Sequence, residues 1–285
     1  MVWKILSISI AVLLIGSTGA WLYANAKFAK GMAESEAVWA AIARQATIDI
    51  PVYSSAMVAD LPEIAQRYFN HAIAVGTPLG TTVELVMEGE FRLGERGNYK
   101  RFDMRARQII APPTAFVWIA NMKSGPVRVN GSDGFYQGHG WVRFWMFRAF
   151  PLVQAFSNPD LDRAGHARPL VEAVWAPASL LPQNGARWEQ LDLTHAKVSF
   201  GKSTASLEMI LTIDRQGRPL DVVTQRWSDV NPTKTYRYHA FGGTLEAETR
   251  FGGFTIPSLV RVGYHYGSEA YFPFFIGHIT GAKFY

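Results

Sequence analysis

Cysteine is absent from the chain. That excludes disulfides, a thiolate nucleophile and Cys-ligated zinc, and it is compatible with either side of a membrane. Charge is sparse: Asp, Glu, Lys and Arg make up 18% of the residues, and the net charge of +5 is dispersed without a Lys/Arg-rich run, so no nucleic-acid partner is expected. No Gly-rich phosphate loop, no Gly-x-Ser-x-Gly elbow and no His-Glu-x-x-His helix occurs. The seven histidines never fall at paired ligand spacing, so no metal is expected, and nothing points to another cofactor. Internal repeats and low-complexity tracts are missing as well.

Apolar residues, by contrast, reach 48%. Residues 5–26 carry no charge between Lys4 and Lys27. At about 1.5 Å per helical residue, these roughly 22 residues reach about 33 Å, enough to cross a bilayer's hydrocarbon core. Trp3, Trp21 and Tyr23 stand near the margins of this run, where aromatic rings favour the headgroup zone. Ala24-Asn25-Ala26 offers a small-x-small cleavage site, but the run exceeds the roughly 7–15 residues of a signal core. Residues 1–30 are therefore read as a transmembrane anchor or signal segment, with retention favoured and the bulk of the chain on the periplasmic side. Residues 31–80 read as a helical linker region. It holds a helix over 33–45, a connector around Pro51, and a second helix introduced by Asp60, Pro62 and Glu63.

From Thr81 the hydrophobic period becomes two, the strand period. Val83, Leu85, Met87 and Phe91 alternate with Glu84, Glu88 and Glu90. Phe102, Met104, Ala106 and Gln108 alternate with Asp103, Arg105 and Arg107. About ten strands follow at hairpin spacing, with a turn expected at residues 130–134 and another at Gly242-Gly243. Connections this short cannot carry parallel crossovers. The expected fold is mainly β (α+β): a curved antiparallel sheet or open barrel over 81–285, with helices on its concave side from an insertion near 144–182.

Three polar residues break the pattern. Gln108 shares the apolar parity of its strand, Arg226 that of Leu220 and Val222, and Glu172 lies in the apolar stretch 170–175. Inward polar groups must be paired, because a lone buried charge is costly. The simpler reading is a structural clamp joining Glu172 to Arg226, or to Arg168 at i−4. The functional reading is the polar end of an apolar cavity, with Gln108, Glu172 and Arg226 at a ligand's headgroup and Trp118, Trp145 and Trp175 as walls. A catalytic acid at Glu172 is a third, in which the chain is an envelope hydrolase. It lacks a second acid, a His or a metal, so an enzyme is the lesser expectation. The aromatic run from Trp141 to Phe156 reads either as core or as a lip meeting lipid.

Glu172-x-x-Trp175-x-Pro177-x-x-Leu180-Leu181-Pro182, followed by Arg187-Trp188-Glu189, resembles the central motif of an uncharacterised bacterial domain-of-unknown-function family whose members look membrane-anchored. Leu61-Pro62, Arg67-Tyr68, Gln108, Gly138-x-Gly140 and Arg226 are similar to its other recurring positions, so the resemblance covers about residues 61–279. At residues 165–169 the chain departs from the family, which more often has an acid there. The resemblance implies no activity; its curved-sheet outline is loosely similar to periplasmic lipoprotein carriers. The function expected is a membrane-tethered protein binding a lipid or acyl chain. The alternative is a structural or assembly protein of the envelope with a filled core. Nothing in the sequence names a protein partner.

Overall fold

The computed structural model describes residues 2–45, 50–201 and 207–285, and within the first helix the side chains of residue 16 and of 18 onward. That helix, α1, runs unbroken over Val2–Arg44. The separate helix expected at 33–45 is its second half, because the residues joining the two, Ala26 to Lys30, contain no breaker. Much of the apolar run at 5–26 lies outside the described side chains. Among the described residues, no helix is long and apolar enough to cross a membrane. A second helix, α2 (Glu63–Ala72), begins after Pro62 and buries Ile64, Ala65, Tyr68, Phe69 and Ala72 along one side.

Thirteen strands follow: β1 (Val83–Glu95), β2 (Asn98–Ala111), β3 (Ala115–Ser124), β4 (Val127–Tyr136), β5 (His139–Met146), β6 (Phe150–Ala155), β7 (Arg187–Gln190), β8 (His195–Phe200), β9 (Leu207–Ile213), β10 (Pro219–Ser228), β11 (Arg237–Phe251), β12 (Phe254–Tyr264) and β13 (Phe272–Phe284). They form one antiparallel sheet in the order β6-β5-β4-β3-β2-β1-β13-β12-β11-β10-β9-β8-β7. The sheet is curved and unclosed: β6 and β7 are its two edges, so there is no barrel. Neighbours in the sheet are neighbours in sequence except at the seam where β1 meets β13.

Three differences from expectation have physical causes. The turn expected at residues 130–134 is instead the middle of β4, where a Cβ on Gly131 or Gly134 would collide with the Phe144 or Trp141 ring of β5. Gly242-Gly243 likewise lies inside β11, pressed between the backbones of β10 and β12. These glycines admit close neighbours and do not bend the chain. The third is the aromatic run 144–156, read as the start of a helical insertion. It forms the end of β5 and all of β6, and the helical crossing begins only at α3 (Pro159–His166), capped by Asn158. The crossing continues through α4 (Arg168–Val171) and three short 3-10 turns to residue 184. Its prolines at 159, 169, 177 and 182 sit at the starts of these pieces and keep each short.

The sheet is covered on both faces. On the inner face, Leu85, Met87, Met104, Met209 and Leu211 join α2 and the helical crossing in the main core. On the outer face, Trp39 and Ile42 of α1 pack on Ile109, Val117 and Ile119 in a second core. Polar contacts fix the helix there. Ser35 and Ser132 hydroxyls lie 2.7 Å apart, and Trp39 Nε1 donates to Glu84 at 2.9 Å. Glu34 pairs with Arg143, and Glu36 with Arg107. The charged face that carries Glu84 and Arg107 is therefore partly roofed by α1.

Candidate functional site

A cavity of about 440 Å³ remains between the inner face and the helical crossing. Trp118, Phe144, Val174, Trp175, Val222 and Val260 supply much of its wall. Its charged members are Asp133, Arg168, Glu172 and Arg226. The consecutive antiparallel strands put the turns β1–β2, β3–β4, β5–β6, β10–β11 and β12–β13 at one end of the sheet. The cavity opens toward that end, where Leu93, Leu152 and Val153 are both lining residues and exposed.

Toward the opposite end the charges form a closed chain. Arg168, at the start of α4, reaches Glu172 one turn later, with Nε to Oε1 at 2.6 Å. Its Nη1 donates to both oxygens of Asp133 on β4, at 2.5 and 2.6 Å. Gln108 of β2 donates to Glu172 Oε2 at 2.5 Å. The guanidinium lies over the Phe116 ring at 4.3 Å and the Trp118 ring at 5.7 Å. Two carboxylates thus share one cation in a buried site. Burial pushes the Glu172 carboxyl up, and the Arg168 and Gln108 contacts only partly offset it. For Arg168, burial lowers the pKa, but Asp133 and Glu172 outweigh it and the net direction is up. Both Glu172 oxygens are occupied, which favours a clamp over a proton donor.

Arg226 stands apart. Its Nε donates to the Ala164 carbonyl at 3.2 Å, and its guanidinium lies over Phe241 at 4.7 Å and Tyr264 at 5.8 Å. It belongs to no ion pair among the described residues, and it sits two residues from the open-end terminus of β10. The Trp118 indole is also unspent: its buried Nε1–H has no acceptor among the described residues. No group of three metal-ligating side chains occurs among the described residues.

Residues 51–277 match DUF6544, a family of unknown function. The chain belongs to this family. The DUF6544 match takes in all four charged cavity residues and leaves α1 outside it. No curated protein matches the sequence. Among solved structures, the chain is similar to a LolA superfamily protein of Nitrosomonas europaea, with a TM-score of 0.39 and 9% identity over 78% of this chain and 92% of that one. An outer membrane lipoprotein-sorting protein domain of Vibrio parahaemolyticus gives a TM-score of 0.37 and 9% identity over 78% and 91%. Likenesses this weak bear on neither ligand nor activity.

In this DUF6544 chain, Trp118, Glu172, Trp175 and Arg226 line the cavity, and Gln108 stands behind it, held to Glu172. Trp175 Nε1 donates to the Pro257 carbonyl at 2.9 Å, so this wall is fully bonded. Trp145 is elsewhere. It points to the outer face, with its ring 5.3 Å from Phe28 of α1 and against Gly31. Glu172 pairs with Arg168 and not with Arg226, because only Arg168 lies one helical turn away. Sequence reasoning missed Asp133, hidden by the glycines beside it. Its signal was parity: it alternates in step with Val129, Gly131 and Phe135, which face inward.

Proposed function

We propose that this protein is a membrane-tethered, extracytoplasmic binder of a hydrophobic ligand, a lipid or acyl chain, held in the cavity. The cavity is the observation that carries the reading. Its wall is largely apolar and open at one end, so an apolar occupant that displaces water from it is favoured. The volume is in the range of small-molecule sites, whose walls are apolar with a few placed polar groups. Arg226, outside any ion pair among the described residues, is free for an anionic head near the open end. The uncharged run at residues 5–26 supports the tether.

An envelope protein with a filled core is disfavoured, because the core is not filled. A hydrolase using Glu172 is disfavoured by the double bonding of its carboxylate. The test is solvent extraction of the purified full chain followed by mass spectrometry, together with titration by a fluorescent fatty acid. The expected result is a stoichiometric lipid or saturable probe binding, and its loss when Val174→Trp fills the cavity. A chain that yields no lipid and takes up no probe overturns the reading.

A further inference from the structure

The edge strand β6 carries an exposed apolar surface, of which only Leu152 and Val153 also line the cavity. Phe150, Leu152 and Phe156 are 59%, 53% and 58% exposed, and Phe147, in the turn before them, is 47% exposed. Between Asp133 and Asp160 the chain has no acidic residue. Edge strands are ordinarily guarded by charge, and β6 has none. Its one guard is Pro151, which lacks the N–H that a further strand would need. An added β-strand is therefore a poor occupant, whereas an apolar medium is a good one. Phe147 and Arg148 both adopt left-handed backbone, with φ of 54° and 58°. That conformation is unfavourable for a bulky ring, and here it holds Phe147 outward.

The placement of α1 supplies the occupant. Phe28 packs its ring 5.3 Å from Trp145 and 5.7 Å from the Arg148 guanidinium. From there α1 crosses the outer face toward the opposite end, where Gln45 Nε2 donates to Tyr136 Oη at 3.0 Å. The uncharged run thus ends, at Ala26, beside the β5–β6 turn. Lys27, Lys30, Arg128 and Arg148 are all exposed around that point and form a basic collar. A basic collar next to exposed rings complements anionic headgroups above an acyl layer.

We infer that the β5–β6 turn and β6 seat on the anionic face of the bilayer in which α1 is tethered, with Phe147, Phe150 and Leu152 dipping into its interfacial layer. The inference rests on the tethering reading above. It also gives the cavity its source: Leu152 and Val153 are wall residues of the same cavity. A ligand passes between bilayer and cavity along β6 without crossing bulk water.

The absence of native cysteine makes the test direct. Full-length chain bearing Phe150→Cys or Leu152→Cys, each labelled with a polarity-sensitive dye, is reconstituted into phosphatidylcholine–phosphatidylglycerol vesicles containing a doxyl-lipid quencher. Leu193→Cys, exposed at the opposite end of the sheet, is the reference. The expected result is several-fold stronger quenching at 150 and 152 than at 193, reduced by Arg148→Glu and by removing the anionic lipid. Equal quenching at all three positions, in a chain that floats with the vesicles, overturns the seating while leaving cavity binding intact. Dye shielding that persists without vesicles assigns the surface to a second copy and also overturns it. Loss of the cavity reading shows separately, as absent extractable lipid with quenching unchanged.

Discussion

Gln108 and Glu172, 64 residues apart, meet across the gap between sheet and helical crossing, with Nε2 to Oε2 at 2.5 Å. Each is held for the other's sake: the carboxylate needs donors, and the amide has no water to use. Glu172→Ala orphans Gln108 and strips Arg168 of one of its two counterions. Arg168 keeps Asp133, so the expected loss is about 1–3 kcal/mol in denaturant unfolding, the cost of leaving the buried Gln108 amide without its acceptor. Glu172→Gln should lose distinctly less. Equal and small losses in both would show that the clamp does not hold the crossing down.

Arg226, stacked and unpaired, is expected to select for charge in the ligand. Hydrogen bonds to charged groups contribute about 1.5–3 kcal/mol, so Arg226→Gln should weaken a fatty-acid probe roughly tenfold to a hundredfold. The methyl ester of the same probe should bind both proteins alike. Parallel titrations of the two probes decide it, and an equal loss for both would remove Arg226 from the head site.

His71 and Glu248 tie α2 to β11, with Nε2 to Oε2 at 2.9 Å. Its hydrogen bond to Glu248 raises the His71 pKa from 6.5, against an opposing effect of burial. A raised folded-state value means that this contact stabilises fully below the ordinary histidine range. Its contribution is lost as the pH rises through the elevated value. Unfolding free energy measured across neutral to mildly alkaline pH should fall over that window, and Glu248→Gln should flatten the dependence. If wild type and variant show the same slope, the pair contributes nothing measurable.

Gly31 sets the approach of α1 to the outer face. A Cβ there would stand 2.7 Å from Trp145 Cη2, whereas at Gly19 it would meet nothing within 4 Å. Gly31→Leu should cost about 1–3 kcal/mol by forcing the helix outward, while Gly19→Leu leaves the thermal melt unchanged. Matching melts for the two variants would mean that α1 does not pack as described.

Much of this was readable from alternation alone. Phe102, Met104, Ala106 and Gln108 are all buried, as period two requires, and the inward polar exceptions led to the cavity. What escaped notice has one recurring cause: glycine and aromatic residues carry local meanings that tertiary packing overrides. Gly131, Gly134, Gly242 and Gly243 spell turns in sequence but serve as contact points between strands. Trp145 was counted among the cavity walls because parity cannot say which face of a sheet is the hollow one. Arg168 outweighs Arg226 as the partner of Glu172 only because the two share a helix turn, which depends on where α4 begins.

The β1–β13 seam pairs Val83 with Phe284, two strands that no hairpin connects. Trp118 and Phe144 belong to the meander on one side of it, and Val222, Val260 and Phe275 to the meander on the other. Each meander can zip up from local hairpins, yet neither encloses a hollow alone. During synthesis the early meander must therefore wait, with its greasy side bare, until β13 leaves the ribosome and locks in, and only then does the hollow close.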